Sequence, residues 1–427
     1  MTVDTITNAP SQYVWSIGDR FTPLVEAMCR VENILESRSE LDVVFCDYST
    51  NAEYGHSAGL DLIARLERVE TCGPFIARKE KFLEFITKHK LSTNSEISPV
   101  VISKFIAELS DDEVAHLALQ VAHIDQIDYP VEKPLKPTNL PFVSIIIPNR
   151  NSIDLITETL ASLYQKTDYS SFEVIIIDNG TNDQKVLNLY NSYKDREENF
   201  SFYINHEPFN FSRMINRGIR QATGDFFLLL NNDIEVIRPH WLKEMTACFR
   251  YEDTGIVGAK LLYPNDTIQH AGVIVGLNNF ASHWFYKEQR DTRGPNNCLG
   301  YRRSMVCVTG AVMAISRACY EAIGAWDEGN FAVAYNDVDY CIRAYNKGFR
   351  CIWTPYAELY HHESASRGKA RSFRSRWRLH QEKKNLKRIH GTHKFKDPVF
   401  SPRFKKKPGK LTLKKELKAP RPRRWWC

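Results

Sequence analysis

Two amides and a carboxylate close a short apolar run near the middle of the 427-residue chain, where residues 226–230 are followed by Asn231, Asn232 and Asp233. Five consecutive apolar residues predict a buried strand of a parallel sheet, because the run is too short for a typical helix. Ligands of open α/β sheets bind at the carboxyl ends of the strands. Carboxylate and amide oxygens at such an end suit Mg²⁺ or Mn²⁺. A lone strand followed by an Asn/Asp turn would give the same letters, so the motif alone leaves both interpretations open.

The same polar ending occurs at two other predicted strands, which are closed by Pro148-Asn149-Arg150 and by Asp178-Asn179-Gly180. Helical periodicity at residues 153–166 and 212–222 separates the three strands. Strand and helix in alternation predict an α/β fold with a parallel sheet and right-handed crossovers. The three polar endings should therefore line one crevice, which isolated turns would not do.

These residue types fit the chemistry of a nucleotide-sugar. Asp178 would accept hydrogen bonds from the nucleoside, although a carboxylate there also suits a plain turn cap. Asp233, with Asn231 nearby and a histidine from another strand end, would hold the cation that neutralises the diphosphate. Asp337 begins a predicted helix and would take a proton from the acceptor hydroxyl, with Asp339 as the fallback. A carboxylate in a first helical turn is also favoured by the macrodipole alone.

Composition indicates a globular protein of two or three domains, with 43% hydrophobic and 25% charged residues. No apolar run approaches the roughly 18–20 residues of a membrane-spanning helix, and residues 1–10 do not resemble a secretory signal. Ten scattered cysteines without a Cys-x-x-Cys pair argue against a zinc module or a disulfide framework. We therefore expect a cytoplasmic protein, with peripheral attachment to the inner membrane face as an option.

Charge is distributed unevenly along the chain. From Ser364 onward there are 23 Lys/Arg against 3 Asp/Glu, whereas the whole chain carries only +6. A basic end of this kind suits an anionic membrane surface, since each basic residue near such a surface contributes about 1 kcal/mol. Nucleic acid is a poor alternative because no RNA- or DNA-binding motif is present. Residues 371–390 are predicted to be helical, with disorder beginning near Pro402.

Residues 141–366 resemble a glycosyltransferase family 2 domain of the GT-A fold, in the rhamnosyltransferase-like bacterial branch tied to O-antigen and other surface polysaccharides. The segments that carry the resemblance are PFVSIIIPNRN, FEVIIIDNGTND, FNFSRMINRGIRQATGDFFLLLNND, IQHAGVIVG, VTGAVMAISR, FAVAYNDVDYCIR and WTPYAELYHHESASRG. They span about half of the chain in the family's order. The resemblance implies an inverting, cation-dependent enzyme that uses a nucleoside-diphosphate sugar and a glycan or lipid-linked acceptor.

The resemblance also assigns roles to single residues, and we expect the following set. Donor contacts are Pro148, Asn149, Arg150, Asp178, Asn179, Arg213, Asn216, Asn231 and Asn232; metal ligands are Asp233 and His361, or less favourably His362; the base is Asp337; acceptor contacts are Trp326 and Asn336. Asn231 stands where the family's metal motif has its first Asp, and Asn336 where many relatives have Glu. Only one of the adjacent histidines can face the crevice, because side chains alternate along a strand. Arg213 could instead be structural, Trp326 plain core, and His270 and His283 ordinary core or surface histidines.

The rest of the chain is less informative. Residues 1–130 are expected to form a smaller α/β or mainly helical region, with a helix over residues 111–123. Part of that region resembles the second half of a GT-A domain without its nucleotide and metal motifs, which suggests an inactive remnant. Proline-rich residues 131–140 are read as a linker and residues 367–427 as a basic helix and tail. The rival function is a non-catalytic scaffold that binds nucleotide-sugar or glycan.

Overall fold

The computed structural model describes residues 3–18, 21–50, 54–55, 57–58, 61–67, 72–92, 94–124, 134–135, 137, 139–362, 373–405, 414 and 421–425. The expected linker, the start of the basic region and much of the tail lie partly outside these residues.

The N-terminal module (residues 3–124) alternates strands and helices. Its elements are α1 (Val3–Thr7), β1 (Tyr13–Ser16), β2 (Thr22–Pro23), α2 (Val25–Glu36), β3 (Val43–Ser49), β4 (Tyr54–Gly55), α3 (Leu62–Glu67), β5 (Phe75–Arg78), α4 (Lys79–Lys88), α5 (Pro99–Glu108) and β6 (Val114–His123).

The main module (residues 139–362) carries the predicted alternation. Its elements are β7 (Val143–Asn149), α6 (Ile153–Lys166), β8 (Phe172–Asp178), α7 (Gln184–Arg196), β9 (Phe200–Ile204), α8 (Phe211–Gln221), β10 (Phe226–Leu230), β11 (Ile234–Val236), α9 (Trp241–Ala247), β12 (Thr254–Leu262), β13 (Ile268–His270), β14 (Val273–Val275), β15 (Ala281–His283), β16 (Arg303–Met305), β17 (Val312–Ser316), α10 (Arg317–Ile323), α11 (Asn336–Asn346) and β18 (Arg350–His361). A further helix, α12 (Phe373–His390), follows it, as the sequence predicted.

The central sheet of the main module has the strand order β11-β18-β12-β17-β10-β7-β8-β9. Strands β7, β8, β9, β10, β12 and β18 run in one direction, and β11 and β17 oppose them. The predicted α/β fold with a mostly parallel sheet is therefore confirmed. Since β7, β8, β10, β12 and β18 are parallel, their carboxyl ends meet at one edge of the sheet.

Burial on both faces explains why the central strands read as continuous apolar runs. Every residue of β7 is buried, and so are four of the five residues of β10. Helix α8 packs closely on this sheet because it has a glycine at the contact, where a Cβ on Gly218 would lie 2.3 Å from the Cγ2 atom of Ile146. The Asn210 side chain caps the helix by accepting the Arg213 N–H at 3.0 Å. The helix is thereby fixed against the crevice edge.

The two modules share a topology. The N-terminal sheet has the order β1-β5-β3-β6-β2 with β4 on β3, and the main sheet contains β10-β17-β12-β18-β11 with β13 on β12. Corresponding pairs have the same direction, including one parallel pair in each sheet. The register also agrees, because Thr22 pairs with His123 as Ile234 pairs with His361. The N-terminal module therefore repeats the second half of the main module, and it lacks counterparts of β7, β8 and β9 among its described residues.

One expectation about the N-terminal region was wrong, since residues 114–123 form strand β6 rather than a helix. Of the two alternatives predicted for the region, α/β or mainly helical, the structure has the first. Ser110-Asp111-Asp112-Glu113 has the pattern of a helix-capping box, and the Ser110 N–H does donate to Glu113 Oε2 at 2.7 Å. It closes a turn instead, because the apolar run that follows is buried beside β3 in a parallel pair.

The end of the chain packs back on the N-terminal module. The main chains of Arg423 and His116 exchange two hydrogen bonds of 2.8 and 2.9 Å, and Trp425 is only 1% exposed. Disorder was predicted from near Pro402, whereas Phe404 and Trp425 are buried; residues 406–413 and 415–420 lie outside the described residues. Among the described helices, none combines the length and the apolarity that crossing a bilayer requires.

Candidate active site

A chain of side-chain hydrogen bonds joins three of the strand ends. Asn232, after β10, donates to Asn149 at the end of β7 over 2.5 Å. Asn149 in turn donates to the Tyr190 hydroxyl over 2.5 Å, and Tyr190 donates to Asp178 at the end of β8 over 2.8 Å. The three polar endings that the sequence predicted at one edge are thus brought together.

A cavity of about 210 Å³ opens in front of this chain. It is lined by Pro148, Asn149, Arg150, Ser152, Phe209, Phe211, Met214 and Asn232. Arg150 is exposed at its rim, whereas Asn149 and the Pro148 ring are buried. An apolar wall with a few amides and one guanidinium is the kind of surface that holds a nucleotide.

Asp178 lies beneath this cavity rather than on its surface. The carboxylate is fully buried and accepts hydrogen bonds from the Thr181 N–H and hydroxyl, both at 2.6 Å, and from Tyr190. Its neighbour Asn179 is also buried and donates to the Glu207 carbonyl at 2.9 Å. In the structure, therefore, Asp178 holds the turn after β8, and direct contact with a nucleoside would require these bonds to open.

Asp233 and His361 form the second part of the site. Antiparallel pairing of β11 with β18 places His361 opposite Ile234, next to Asp233. The Asp233 Oδ1 and His361 Nε2 atoms lie 3.2 Å apart, and the Asn231 amide nitrogen lies 3.4 Å from the same ring nitrogen. Both residues are almost fully buried, with exposed fractions of 5% and 6%.

This pair fits a divalent cation. Asp233 Oδ1 is buried and makes no hydrogen bond with any residue that the structure describes, although His361 is close. An unbonded carboxylate oxygen beside an imidazole nitrogen is a donor set that Mn²⁺ accepts, and Mg²⁺ commonly takes one or two carboxylates plus phosphate oxygens. Across the described ranges no group of three or more His, Cys, Asp or Glu side chains is gathered as a metal cluster. A cation here would therefore draw its remaining ligands from a bound diphosphate and water.

Asp337 is held at the start of α11 by the turn before β17. Its Oδ2 atom accepts the Gly310 N–H at 3.1 Å and the Thr309 hydroxyl at 3.3 Å, and its Oδ1 atom accepts the Val338 N–H at 2.8 Å. The residue remains half-exposed, so a substrate can reach it. Gly310 packs closely on the base, since a Cβ at this position would lie 3.3 Å from the Asp337 Cβ and would require a small shift of one of the two residues.

The backbone before Asp337 is strained and braced. Tyr335 has φ +59°, a left-handed conformation that is costly for a bulky residue. Glu382 of α12 accepts the N–H groups of Val333 and Ala334 at 3.0 and 2.9 Å, and it is 3% exposed. Burial raises the pKa of the Glu382 carboxyl. Helix α12 therefore fixes the loop that delivers Asp337.

The cation pair and Asp337 lie on two sides of one short turn. The Asn231 N–H donates to the Ala311 carbonyl at 2.9 Å, and Gly310 donates to Asp337. The Gly310-Ala311 backbone therefore contacts both Asp337 and Asn231, which lies two residues before Asp233. A cation at the Asp233–His361 pair and a base at Asp337 would thus act on a leaving diphosphate and an attacking hydroxyl from neighbouring positions.

Several expected contacts lie behind the crevice instead of in it. Asn216 is saturated by Trp326 and Glu328, and Arg213 pairs with Glu328 and Glu207, so both hold the loop at residues 326–328. Trp326 is 2% exposed and stacks on Tyr340 with ring centroids 4.6 Å apart, so its ring is core.

The structure gives the remaining three candidates, Asp339, His362 and Asn336, different environments. Asp339, the fallback base, is 2% exposed and bonded to Arg343 and His390, which leaves no room for an acceptor. His362 points to Glu235 at 3.4 Å, away from Asp233. Asn336 is buried and accepts the Asp337 N–H at 2.8 Å, which orients the base.

Sequence reasoning missed the residues that support the site. Tyr190, Thr309, Gly310 and Glu382 carry no chemical motif, and they come from elements far apart in the chain. A glycine inside an apolar run was the one available signal for the turn at Gly310.

Residues 141–379 match the family model described as "Glycosyltransferase like family 2". The match covers more than half of the chain, and the chain belongs to this family. The family resemblance and the GT-A type of α/β fold predicted from the sequence are therefore confirmed.

Two curated relatives share the same stretch. The chain is 38% identical over 262 residues to an uncharacterized protein y4gI of Sinorhizobium fredii, covering 61% of this chain and 29% of that protein. It is 36% identical over 242 residues to the O-antigen biosynthesis protein RfbC of Myxococcus xanthus, covering 56% of this chain and 19% of RfbC. The chain thus spans less than a third of the length of these relatives.

Among solved structures, a mannosyltransferase from Pyrobaculum calidifontis in complex with GDP-Man and Mn²⁺ aligns with a TM-score of 0.45 and 18% identity. The alignment covers 63% of this chain and 69% of that one.

Proposed function

We propose that this chain is an inverting glycosyltransferase that moves a sugar from a nucleoside-diphosphate sugar to a hydroxyl of a glycan or lipid-linked acceptor. The observation that carries the proposal is that one turn, Gly310-Ala311, bonds both to the partly exposed carboxylate Asp337 and to Asn231, which begins the segment of the buried Asp233–His361 pair. Family membership supports the reaction class. The name of the RfbC relative supports a role in the synthesis of an O-antigen-like surface polysaccharide.

The donor would bind in the cavity between β7 and α8. Asn149 and Asn232 offer amide groups there, Phe209 and Phe211 supply apolar surface, and Arg150 offers positive charge at the rim. Asp178 and Asn179 would act indirectly, since Asp178 is joined through the Tyr190 hydroxyl to Asn149 in the cavity wall. Asp233 and His361 would hold Mg²⁺ or Mn²⁺, which supplies charge neutralisation at the diphosphate as it leaves.

Asp337 would perform the proton transfer. The acceptor oxygen attacks the anomeric carbon, its proton passes to the Asp337 carboxylate, and the bond from that carbon to the phosphate oxygen breaks with its electron pair leaving on the diphosphate. Attack from the face opposite the leaving group inverts the configuration. Gly310, Thr309 and Asn336 orient the carboxylate so that it needs no rearrangement.

An anionic membrane surface is proposed as a further partner, since a lipid-linked acceptor would be found there. Helix α12 carries Trp377 with 58% of its surface exposed, and Arg376 beside it is exposed too. An exposed Trp among basic residues suits the interface of a bilayer. The same charges would hold the protein at the inner membrane face in the cytoplasm.

The test is nucleotide release from a panel of UDP-, dTDP- and GDP-sugars with Mn²⁺. We expect one nucleotide class to be turned over and to raise the melting temperature. Turnover should be lost in Asp337→Asn with nucleotide binding retained, and cation dependence should be lost or weakened in Asp233→Ala. A protein that binds a nucleotide-sugar without any turnover would instead be a scaffold, and the proposal would be wrong.

A further inference from the structure

An aromatic ledge lies outside the donor cavity and is not used by the reaction as proposed. It consists of Tyr263, His283 and Tyr286. The Tyr263 and Tyr286 rings meet edge to face with centroids 6.0 Å apart, and their hydroxyls are hydrogen-bonded at 3.1 Å. The His283 ring lies 6.5 Å from that of Tyr286. Tyr286 is 42% exposed, so one side of its ring is open to a ligand.

The ledge is on the cation side of the crevice. Tyr263 directly follows β12, whose carboxyl end lies at the same sheet edge as that of β10. The last residue of β12, Leu262, pairs with Tyr360, the neighbour of His361. In the strand order β12 lies between β10, which precedes Asn232, and β18, which ends at His361, so Tyr263 follows a strand located between the two parts of the site.

A buried histidine connects the ledge to the base. His270 Nε2 accepts the Thr309 N–H at 3.3 Å, so this nitrogen carries no proton in the neutral ring. The proton of neutral His270 is then on Nδ1, which donates to His283 Nδ1 at 3.1 Å. Thr309 in turn donates to Asp337. Neutral His283 consequently bears its own proton on Nε2, where it is a donor beside Tyr286.

Charged groups surround the ledge. Asp266 accepts hydrogen bonds from the Tyr360 hydroxyl at 2.8 Å and from Arg290 at 3.1 Å, and the Lys287 ammonium lies 5.3 Å from the centre of the Tyr286 ring. Aromatic faces edged by charged donors and acceptors suit a ligand with one apolar face and a rim of hydroxyls. A pyranose ring has that form, whereas a lipid chain has no polar groups to bind the charged side chains.

We propose that the aromatic ledge binds a sugar ring of the acceptor glycan and presents its hydroxyl to Asp337. This inference rests on the proposed function and names its acceptor side. His270 is a positioning residue in this arrangement, because it ties the ledge to the Thr309-Gly310 turn that holds the base. The acceptor is therefore expected to be a saccharide that already carries at least one sugar, rather than a bare lipid phosphate.

The test uses methyl glycosides of rhamnose, mannose, galactose and N-acetylglucosamine as probes, with the nucleoside diphosphate and Mn²⁺ present. Saturation-transfer NMR titration measures their binding to the full chain. We expect the best-bound glycoside to lose at least fivefold in affinity in Tyr286→Ala. In Tyr286→Phe, which keeps the ring, affinity should stay within twofold. The matched control is Tyr203→Ala, since Tyr203 on β9 has the same exposure, 41%, at the other end of the sheet.

The outcomes separate the two proposals. Any of three results would overturn the proposal for the ledge: equal glycoside affinity in Tyr286→Ala and wild type, equal losses in Tyr286→Ala and Tyr203→Ala, or no binding of any glycoside to wild type. Donor hydrolysis by wild type would still support the transferase in each of these cases. If wild type neither binds nor hydrolyses any nucleotide-sugar, the proposed function itself fails. Thermal unfolding of each variant shows whether a loss reflects misfolding, and retention of nucleotide affinity in Tyr286→Ala shows that the donor side is intact.

Discussion

The substitution Asp337→Asn tests the central residue of the proposed site. It keeps the size of the side chain and removes the proton acceptor. A general base contributes roughly 10² to 10⁴ in rate, so the barrier should rise by about 3–5 kcal/mol. The carboxylate accepts three hydrogen bonds, from Thr309, Gly310 and Val338. An amide has one accepting oxygen, so its NH₂ group must face at least one donor, at a cost to stability of about 1–3 kcal/mol.

The assay is kcat for sugar transfer or donor hydrolysis with saturating donor, together with nucleotide affinity by calorimetry. We expect kcat to fall at least 100-fold while the nucleotide dissociation constant changes less than threefold, because Asp337 does not line the donor cavity. Asp339→Asn is the comparison variant, since Asp339 is two residues away but bonded to Arg343 and His390. It should lose stability and keep its kcat. An Asp337→Asn enzyme with more than a tenth of wild-type turnover, or a reversal between the two variants, would refute this assignment of the base.

Three further changes should act mainly on stability, each measured by urea unfolding. Burial alone would raise the pKa of Glu358, but its hydrogen bond with Arg290 and the nearby basic side chains lower this pKa from 4.5 to about 2. The stabilisation from the ionised carboxylate is therefore complete above pH 4.5 and is lost as the pH falls towards 2. Glu358→Gln should accordingly cost about 3 kcal/mol at pH 7 and less than half of that at pH 3. A cost that is the same at both pH values would contradict this. Glu382→Ala removes the acceptor of the partly buried Val333 and Ala334 N–H groups and should lower the free energy of unfolding by about 2–5 kcal/mol. It should also lower kcat without changing nucleotide affinity. Unchanged stability would show that these two hydrogen bonds do not hold the loop before Asp337. Removing residues 421–427 exposes the surface that Trp425 covers and should lower the free energy of unfolding by about 3–5 kcal/mol. An unfolding midpoint equal to that of wild type would show that these residues do not stabilise the fold.

The strands of the main module could be predicted because a strand that is buried on both faces consists mostly of apolar residues. Residues 143–147, 172–177 and 226–230 are apolar runs of strand length, and polar residues mark where each run meets the ligand edge. Alternation along β18 also separated His361 from His362, since neighbouring side chains of a strand face opposite ways. These features depend on local periodicity, which a sequence records.

The local environment of each candidate could not be predicted in the same way. Asp178 follows its strand as an exposed ligand would, but Tyr190, twelve residues later on α7, bonds to it and helps to bury it. Asp339 looked equivalent to Asp337 until α12 supplied His390, more than fifty residues away. Trp326 is core because Tyr340 lies against it. In each case the deciding partner comes from another element, and spacing along the chain carries no information about it.

The N-terminal module presents the remaining question, because its described residues repeat the β10–β18 half of the main module without counterparts of β7, β8 and β9. We propose that it has a structural role in this chain. Asp111 of this module forms ion pairs with both Arg65 and Arg350, and both arginines are almost completely buried. Arg350 is the first residue of β18, so this contact joins the two modules.

Asp111→Ala would remove the carboxylate that two buried guanidinium groups share and should cost about 3–5 kcal/mol in unfolding free energy. Glu84→Ala, which removes an exposed carboxylate of the same module, is the control and should cost less than about 1 kcal/mol. If Asp111→Ala unfolds at the wild-type urea concentration, or if the chain without residues 1–124 folds and transfers sugar undiminished, the module does not support the site. Because β18 begins at Arg350 and ends at His361, we expect a destabilised Asp111 variant to need more Mn²⁺ for half-maximal turnover, which a role unrelated to the site would not produce.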